Sequence, residues 1–252
     1  MSESLFELID KKASTEEIIA AIDDVWDVDE KKDYYTPLQR VVKEKMSIEI
    51  VQALLDAGAY VDGHATEDNI KDQRREELDE EGIMYAEELQ DAEFTALAFA
   101  TQNNQLDVMQ TLLDAEADVN LIFGTSGSDL FAAISFANTK EALELLIQNG
   151  ARVNIVYGEE EPNTVLYEKI HYADMSPECI LTLLRAGAVA FGNRSSDDMF
   201  DVYLSRHPEI ADPNLFRQLW EKNKEERMDE VHREAELNRE RFDNEESDWD
   251  IF

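Results

Sequence analysis

The sequence predicts an all-α protein assembled from about six stacked helix pairs, and three observations point to it. A short segment with a small or polar residue, a spacer and then leucine recurs: YTPLQRVV from Tyr35, FTALAFA from Phe94, SDLFAAI from Ser128 and NTVLYEKI from Asn163. Each is followed by a second segment of helical apolar period, namely VQALLDAGAYVD from Val51, VMQTLLDAEADVN from Val108, ALELLIQNGARVN from Ala142 and CILTLLRAGAVA from Cys179. The intervals Leu5 to Leu38, Leu97 to Leu130 and Leu166 to Met199 are all 33 residues, one structural unit long.

Taken in chain order, residues 5–34 form a degenerate first unit, with LFELI as its first helix and EEIIAAI as its second. Residues 197–220 form a degenerate last one, DMFDVYL followed by PNLFRQLW; atypical ends suit a stack whose outer faces meet water. Thr36 is placed to cap a helix that Pro37 opens. Gly58, Gly150 and Gly187 follow apolar helix ends, where a left-handed residue lets the chain reverse and satisfies orphaned carbonyls. Leu54, Leu55, Leu112, Leu113, Leu145, Leu146, Leu183 and Leu184 are expected to pack between neighbouring pairs. Cys179 reads as a small buried helix residue.

The pairing resembles the ankyrin repeat, whose unit opens with T-P-L-H-x-A and closes with a Leu-Leu helix, Gly-Ala and a Val-Asn or Val-Asp turn. The match is good at Thr36, Pro37 and Leu38, at Gly58 and Ala59, and from Gly150 to Asn154, and the resemblance spans about four-fifths of the chain. It implies a solenoid of about six units with degenerate terminal caps, to which the residue pattern adds a long C-terminal helix. Two positions depart from the pattern: Glu116 replaces the helix-ending glycine, and Gln39 stands where the family has histidine. That histidine bonds the neighbouring loop in the family, so Gln39 bears on loop rigidity more than on the fold.

Leu38 to Leu97 is 59 residues, which leaves room for a charged insertion at 62–93 within the 1–220 solenoid. Residues 61–93 carry three basic and thirteen acidic side chains in a chain of net charge −35, so the acidity is uneven. The insertion reads as a charged helix up to Glu81, a break at Gly82, then a short amphipathic piece with Ile83, Met84, Tyr85 and Leu89. Residues 221–252 read as an exposed, charged C-terminal helix with an acidic, aromatic tail.

Clustered Lys and Arg are missing, so nucleic acid is an unexpected ligand. No apolar run is long enough to span a bilayer, and one cysteine allows no intramolecular disulfide; a soluble cytoplasmic monomer is expected. His64, His171, His207 and His232 have no second His or Cys at ligand spacing, and nucleophile motifs and phosphate loops are lacking. Neither an enzyme, a metal nor a cofactor is expected.

What remains is a protein-binding reading, with a basic macromolecule as partner because dense acidic patches steer cations. Contact candidates are Glu76, Glu77, Asp79, Glu80, Glu81 and Tyr85 of the insertion, Asp129, the tip acids Glu159, Glu160 and Glu161, and the aromatics Phe99, Phe136, Tyr157 and Tyr167, each of which suits core as well as interface. Asp197 and Asp198 fall at a flanking tip. The resemblance and the charge together suggest an inhibitor or immunity (antitoxin) protein blocking a basic toxin or effector. Alternatives are a scaffold, adaptor or host-directed effector, and a DNA mimic.

Overall fold

The computed structural model describes residues 4–64, 93–123, 131–157, 162–171, 175–192 and 195–249, with the side chains of the last helix described as far as Leu237. The chain divides into two compact units, Met1–Ser126 and Gly127–Phe252.

The first unit holds α1 (Leu5–Asp10), α2 (Thr15–Ile22), α3 (Pro37–Lys43), α4 (Ile48–Asp56), α5 (Ala96–Gln102) and α6 (Leu106–Asp114). Their starts follow from local chemistry. Ser4 with Glu7, Ser14 with Glu17 and Thr36 with Gln39 form reciprocal capping boxes that satisfy amides at both ends of the exchange. Thr95 caps α5 through the amide of Ala98. The inner helices α1, α3 and α5 pack in sequence, and so do the outer helices α2, α4 and α6. Because α5 rests directly on α3 and α6 on α4, the long connection between the second and third pairs leaves their stacking intact. Of the insertion at 62–93, residues 65–92 lie outside the described residues.

The second unit holds a 3-10 turn (Ala133–Phe136), α7 (Lys140–Gln148), β1 (Val156–Tyr157), β2 (Asn163–Thr164), α8 (Val165–His171), α9 (Pro177–Arg185), α10 (Ser196–Arg206) and α11 (Pro213–Trp249). Where SDLFAAI predicts a short α-helix, only the turn is formed among the described residues. The Ser135 and Ala137 amides bond three residues back, to Ala132 and Ile134, and the Ser135 hydroxyl accepts from the Ala132 amide at 3.3 Å. β1 and β2 pair antiparallel, Val156 with Thr164 and Tyr157 with Asn163. Outer helices α7, α9 and α11 stack in order, and α8 packs on α10.

Each outer helix from α4 to α9 ends in one motif. A fully buried leucine, Leu54, Leu112, Leu146 or Leu183, lies four residues before a left-handed residue. Its carbonyl accepts the amide of the following alanine at 3.0 Å in all four cases. The expectation that both leucines of each pair are core is corrected by this register. Leu55, Leu113 and Leu145 are half-buried because the helix turns them away from the seam, whereas Leu184 is buried under α11. Glu116 takes the glycine's role with φ 65°, against 90° at Gly58 and 88° at Gly150 and Gly187. A side chain in that conformation costs roughly 1–2 kcal/mol. Glu116→Gly is therefore expected to raise the unfolding free energy by about 0.5–1 kcal/mol after the added flexibility of the unfolded chain, read by urea denaturation, while Glu116→Ala should give no such gain.

The C-terminal helix departs from expectation. It runs without a break from Pro213 to Trp249, so Trp220 is not a boundary within it, and it is not wholly exposed. Trp220 stacks on Phe200 with centroids 4.0 Å apart and planes at 10°. Asn223 is buried and donates to the carbonyls of Leu184 and Ala188 at 2.7 and 3.1 Å. Val231 and Ala235 then pack with Val156 and Val189, flanked by Phe191 and Met228. Apolar residues on one stripe, hidden among the Glu and Arg of the sequence, cover the hairpin strand and the loop after α9.

Candidate partner-binding edge

The turns that follow the outer helices are stapled to one another by their Asx residues. The Asp29 carboxylate accepts the Tyr60 amide with both oxygens at 3.0 Å, and Asp62 accepts the Asp118 amide at 3.1 Å. Asn154 repeats the bond in the second unit, accepting from the Val189 amide at 2.8 Å and donating to the Gly187 carbonyl at 3.0 Å. Burial pushes the Asp62 carboxyl above its ordinary value, and the Asp118 amide only partly offsets this. Gln39 supplies a staple where a looser loop was in question. Its side chain is fully buried, its Oε1 accepts the Thr36 amide at 2.8 Å, and its Nε2 donates to the Phe94 carbonyl at 2.7 Å.

With those turns in register, equivalent positions of successive repeats line one edge of the first unit. Asp23 caps α2, and Asp56 and Asp114 are the last residues of α4 and α6. All three are exposed. Since the three outer helices pack side by side, these carboxylates recur at about the 8–10 Å of packed helix axes. That spacing is close to the physiological screening length, so their fields partly add. Gln52 and Gln110 each donate to the carboxylate four residues on, at 2.9 and 2.7 Å. The equivalent positions of the second unit hold Gln148 and Arg185, so the row belongs to the first unit.

A carboxylate at this place opposes the negative end of the helix dipole, a local cost of about 0.3–1 kcal/mol each. Composition flagged the acidity as a whole, but sequence reasoning did not single out this row. The signal available was the acid two residues before the left-handed position in VQALLDAG and VMQTLLDAE.

The contact candidates read from the sequence fall in three groups. Glu76, Glu77, Asp79, Glu80, Glu81, Tyr85, Asp129, Glu159, Glu160 and Glu161 lie outside the described residues. Phe99 and Tyr167, each only 1% exposed, are core: Phe99 packs on Phe94 and Tyr35, and a Cβ on Gly192 would lie 2.4 Å from the Tyr167 ring. A binding role for these two is corrected accordingly, because inner-helix aromatics point into the seam between layers. Phe136 is half-buried beside Phe131, with centroids 5.5 Å apart, and Tyr157 sits in β1 opposite Asn163. Of the flanking acids, Asp197 is occupied within the fold, accepting from Lys224 and from Trp220 Nε1, and these bonds hold its carboxyl below the usual value.

Among the described residues no three His, Cys, Asp or Glu side chains converge as metal ligands, and no helix is long and apolar enough to cross a membrane.

The ankyrin-repeat family model matches residues 93–122, the third helix pair. A probable E3 ubiquitin-protein ligase, XBOS31 of Oryza sativa subsp. japonica, is 32% identical over 99 residues, which is 39% of this chain. The match spans only 21% of that relative's length. The human ASB11 ankyrin repeat domain, known from a crystal structure, superposes with a TM-score of 0.52 at 18% identity, covering 74% of this chain and 70% of the other. One repeat recognised by its residues and a stack recognised by its backbone agree on the same architecture: residues 93–122 match the ankyrin repeat, a unit of protein–protein interaction, and the chain has the fold of an ankyrin repeat domain.

Proposed function

We propose that the protein binds a basic macromolecular partner through the acidic edge of its first unit and blocks it, as an inhibitor or immunity protein does. The observation that carries the reading is the row of Asp23, Asp56 and Asp114 at the ends of three adjacent helices, acids placed where they work against helix stability. Charge spent against the fold is best explained by a gain elsewhere, and a regular row attracts a basic surface faster than dispersed charge does. The net charge of −35 favours the same sign of partner.

The double variant Asp56→Lys, Asp114→Lys separates binding from folding. Its unfolding free energy is expected to rise by about 0.5–1.5 kcal/mol as the dipole conflict is relieved, while capture of a basic protein from the source cell falls. Capture by the unaltered chain should weaken between low salt and about 0.5 M, where screening shortens to a few Å. A neutral partner held equally at both salts and by both chains would overturn the proposal.

The adaptor reading rests on a different observation, the likeness of a repeat segment to part of a protein named as a probable ubiquitin ligase. In that case the captured partner stays active when bound, which an activity measurement on the complex decides.

A further inference from the structure

Trp26 is the most exposed large apolar side chain of the described residues, at 102% of its reference area, and Tyr60 follows at 63%. The staple from Asp29 to the Tyr60 amide fixes the register between their loops: Asp29 corresponds to Asp62, and Trp26 to Ala59 and Ala117. Those alanines are each only 8% exposed, tucked under turns that begin with a left-handed residue. The first repeat has no left-handed residue between Asp23 and Glu30, and an indole is too large for the alanine's place. The side chain therefore stands in water.

Its surroundings are charged. The loop reads DDVWDVDEKKD, in which Asp23, Asp24, Asp27, Glu30 and Asp33 are exposed. The two lysines of the loop turn elsewhere: Lys32 bonds Asp10 at 2.8 Å, and Lys31 donates to the His64 carbonyl at 3.0 Å. Burial holds the Lys31 ammonium below its ordinary pKa. An indole face is the strongest aromatic site for a cation, and neighbouring carboxylates supply further acceptors.

From this we infer that Trp26 is the anchor at which an arginine- or lysine-rich segment of the partner docks, its cation lying over the indole and its remaining charges meeting the loop carboxylates. The inference rests on the proposed basic partner and adds to it a place and a recognition chemistry. An uncharged apolar helix on this loop would strand the carboxylates without counter-charges, and a second copy of the chain would bring like charges together.

The test uses the full chain with octa-arginine, octa-lysine and an uncharged amphipathic helical peptide as probes, measured by calorimetry. Octa-arginine is expected to bind, and Trp26→Ala to weaken it roughly 3- to 30-fold, with Trp26→Phe falling between. Thermal unfolding of both variants should match the unaltered chain because the indole covers no core. If octa-arginine binds equally to Trp26→Ala, the anchor is wrong while the acidic-edge reading stands. Should no cationic peptide bind at all, both fail. Preferential binding of the uncharged peptide, or a dimer that Trp26→Ala dissociates in sedimentation, would also overturn the inference.

Discussion

Gln39→Leu is expected to lower the unfolding free energy by about 2–4 kcal/mol, an effect visible as a fall of roughly 5–15 °C in the thermal midpoint. The substitution keeps an apolar stem in a fully buried place but deletes both polar ends at once. The Thr36 amide loses its acceptor in buried surroundings, and the part-buried Phe94 carbonyl loses its donor. Gln39→His, which places the family's residue there, should recover a large part of the loss, since one imidazole nitrogen can accept while the other donates. A midpoint for Gln39→Leu within a degree or two of the unaltered chain would show that the bond to Phe94 contributes nothing.

Lys169→Ala comes next in size. Lys169 sits five residues after Thr164, as Val41 follows Thr36 and Ala100 follows Thr95, so a lysine occupies a core position. Its stem is buried and its ammonium reaches out to the Ser135 carbonyl and, at 3.1 Å, to Asn138 Oδ1. The lysine thereby holds the 3-10 turn and the start of the next outer helix. Truncation leaves a cavity and unpaired acceptors, for a loss of about 2–4 kcal/mol by chemical denaturation.

Lys169→Met keeps most of the stem and isolates the charge. Burial pushes the Lys169 ammonium below its ordinary pKa of 10.5, only partly opposed by Glu168 and Cys179. Between the lowered folded value and 10.5 the unfolded chain holds a proton that the folded chain has released, so stability rises with pH across that window. The penalty of the buried charge is fully present below the folded value and fades as pH approaches 10.5. The difference in unfolding free energy between the unaltered chain and Lys169→Met is therefore expected to shift in favour of the unaltered chain as pH rises through the lowered folded value towards 10.5. A flat difference would place the ammonium in water.

Particular residues show how far the sequence could be read. The helix start at Thr36 was legible because a capping side chain and its amide are three residues apart, and the caps at Ser4, Ser14 and Thr95 obey the same short-range rule without having been singled out. The reversals at Gly58, Gly150 and Gly187 were legible for the same reason of short range. The buried stripe of α11 was not, since Val231 and Ala235 are too sparse among charges to register as a period. Nor was the burial of Phe99 and Tyr167, which depends on what lies across the seam. The Asp23, Asp56 and Asp114 row came into view only when α2, α4 and α6 were seen side by side.

By itself the sequence determined the repeat, its 33-residue period, the places where most helices begin and reverse, and the net charge of −35. Tertiary structure alone decided which leucine of each pair is sealed, that Gln39 and Lys169 bond across repeats, and that Trp26 is left in water. Caps and turns are settled between residues a few positions apart, whereas burial and cross-repeat bonding depend on neighbours 30 or more positions away, which only stacking brings into contact.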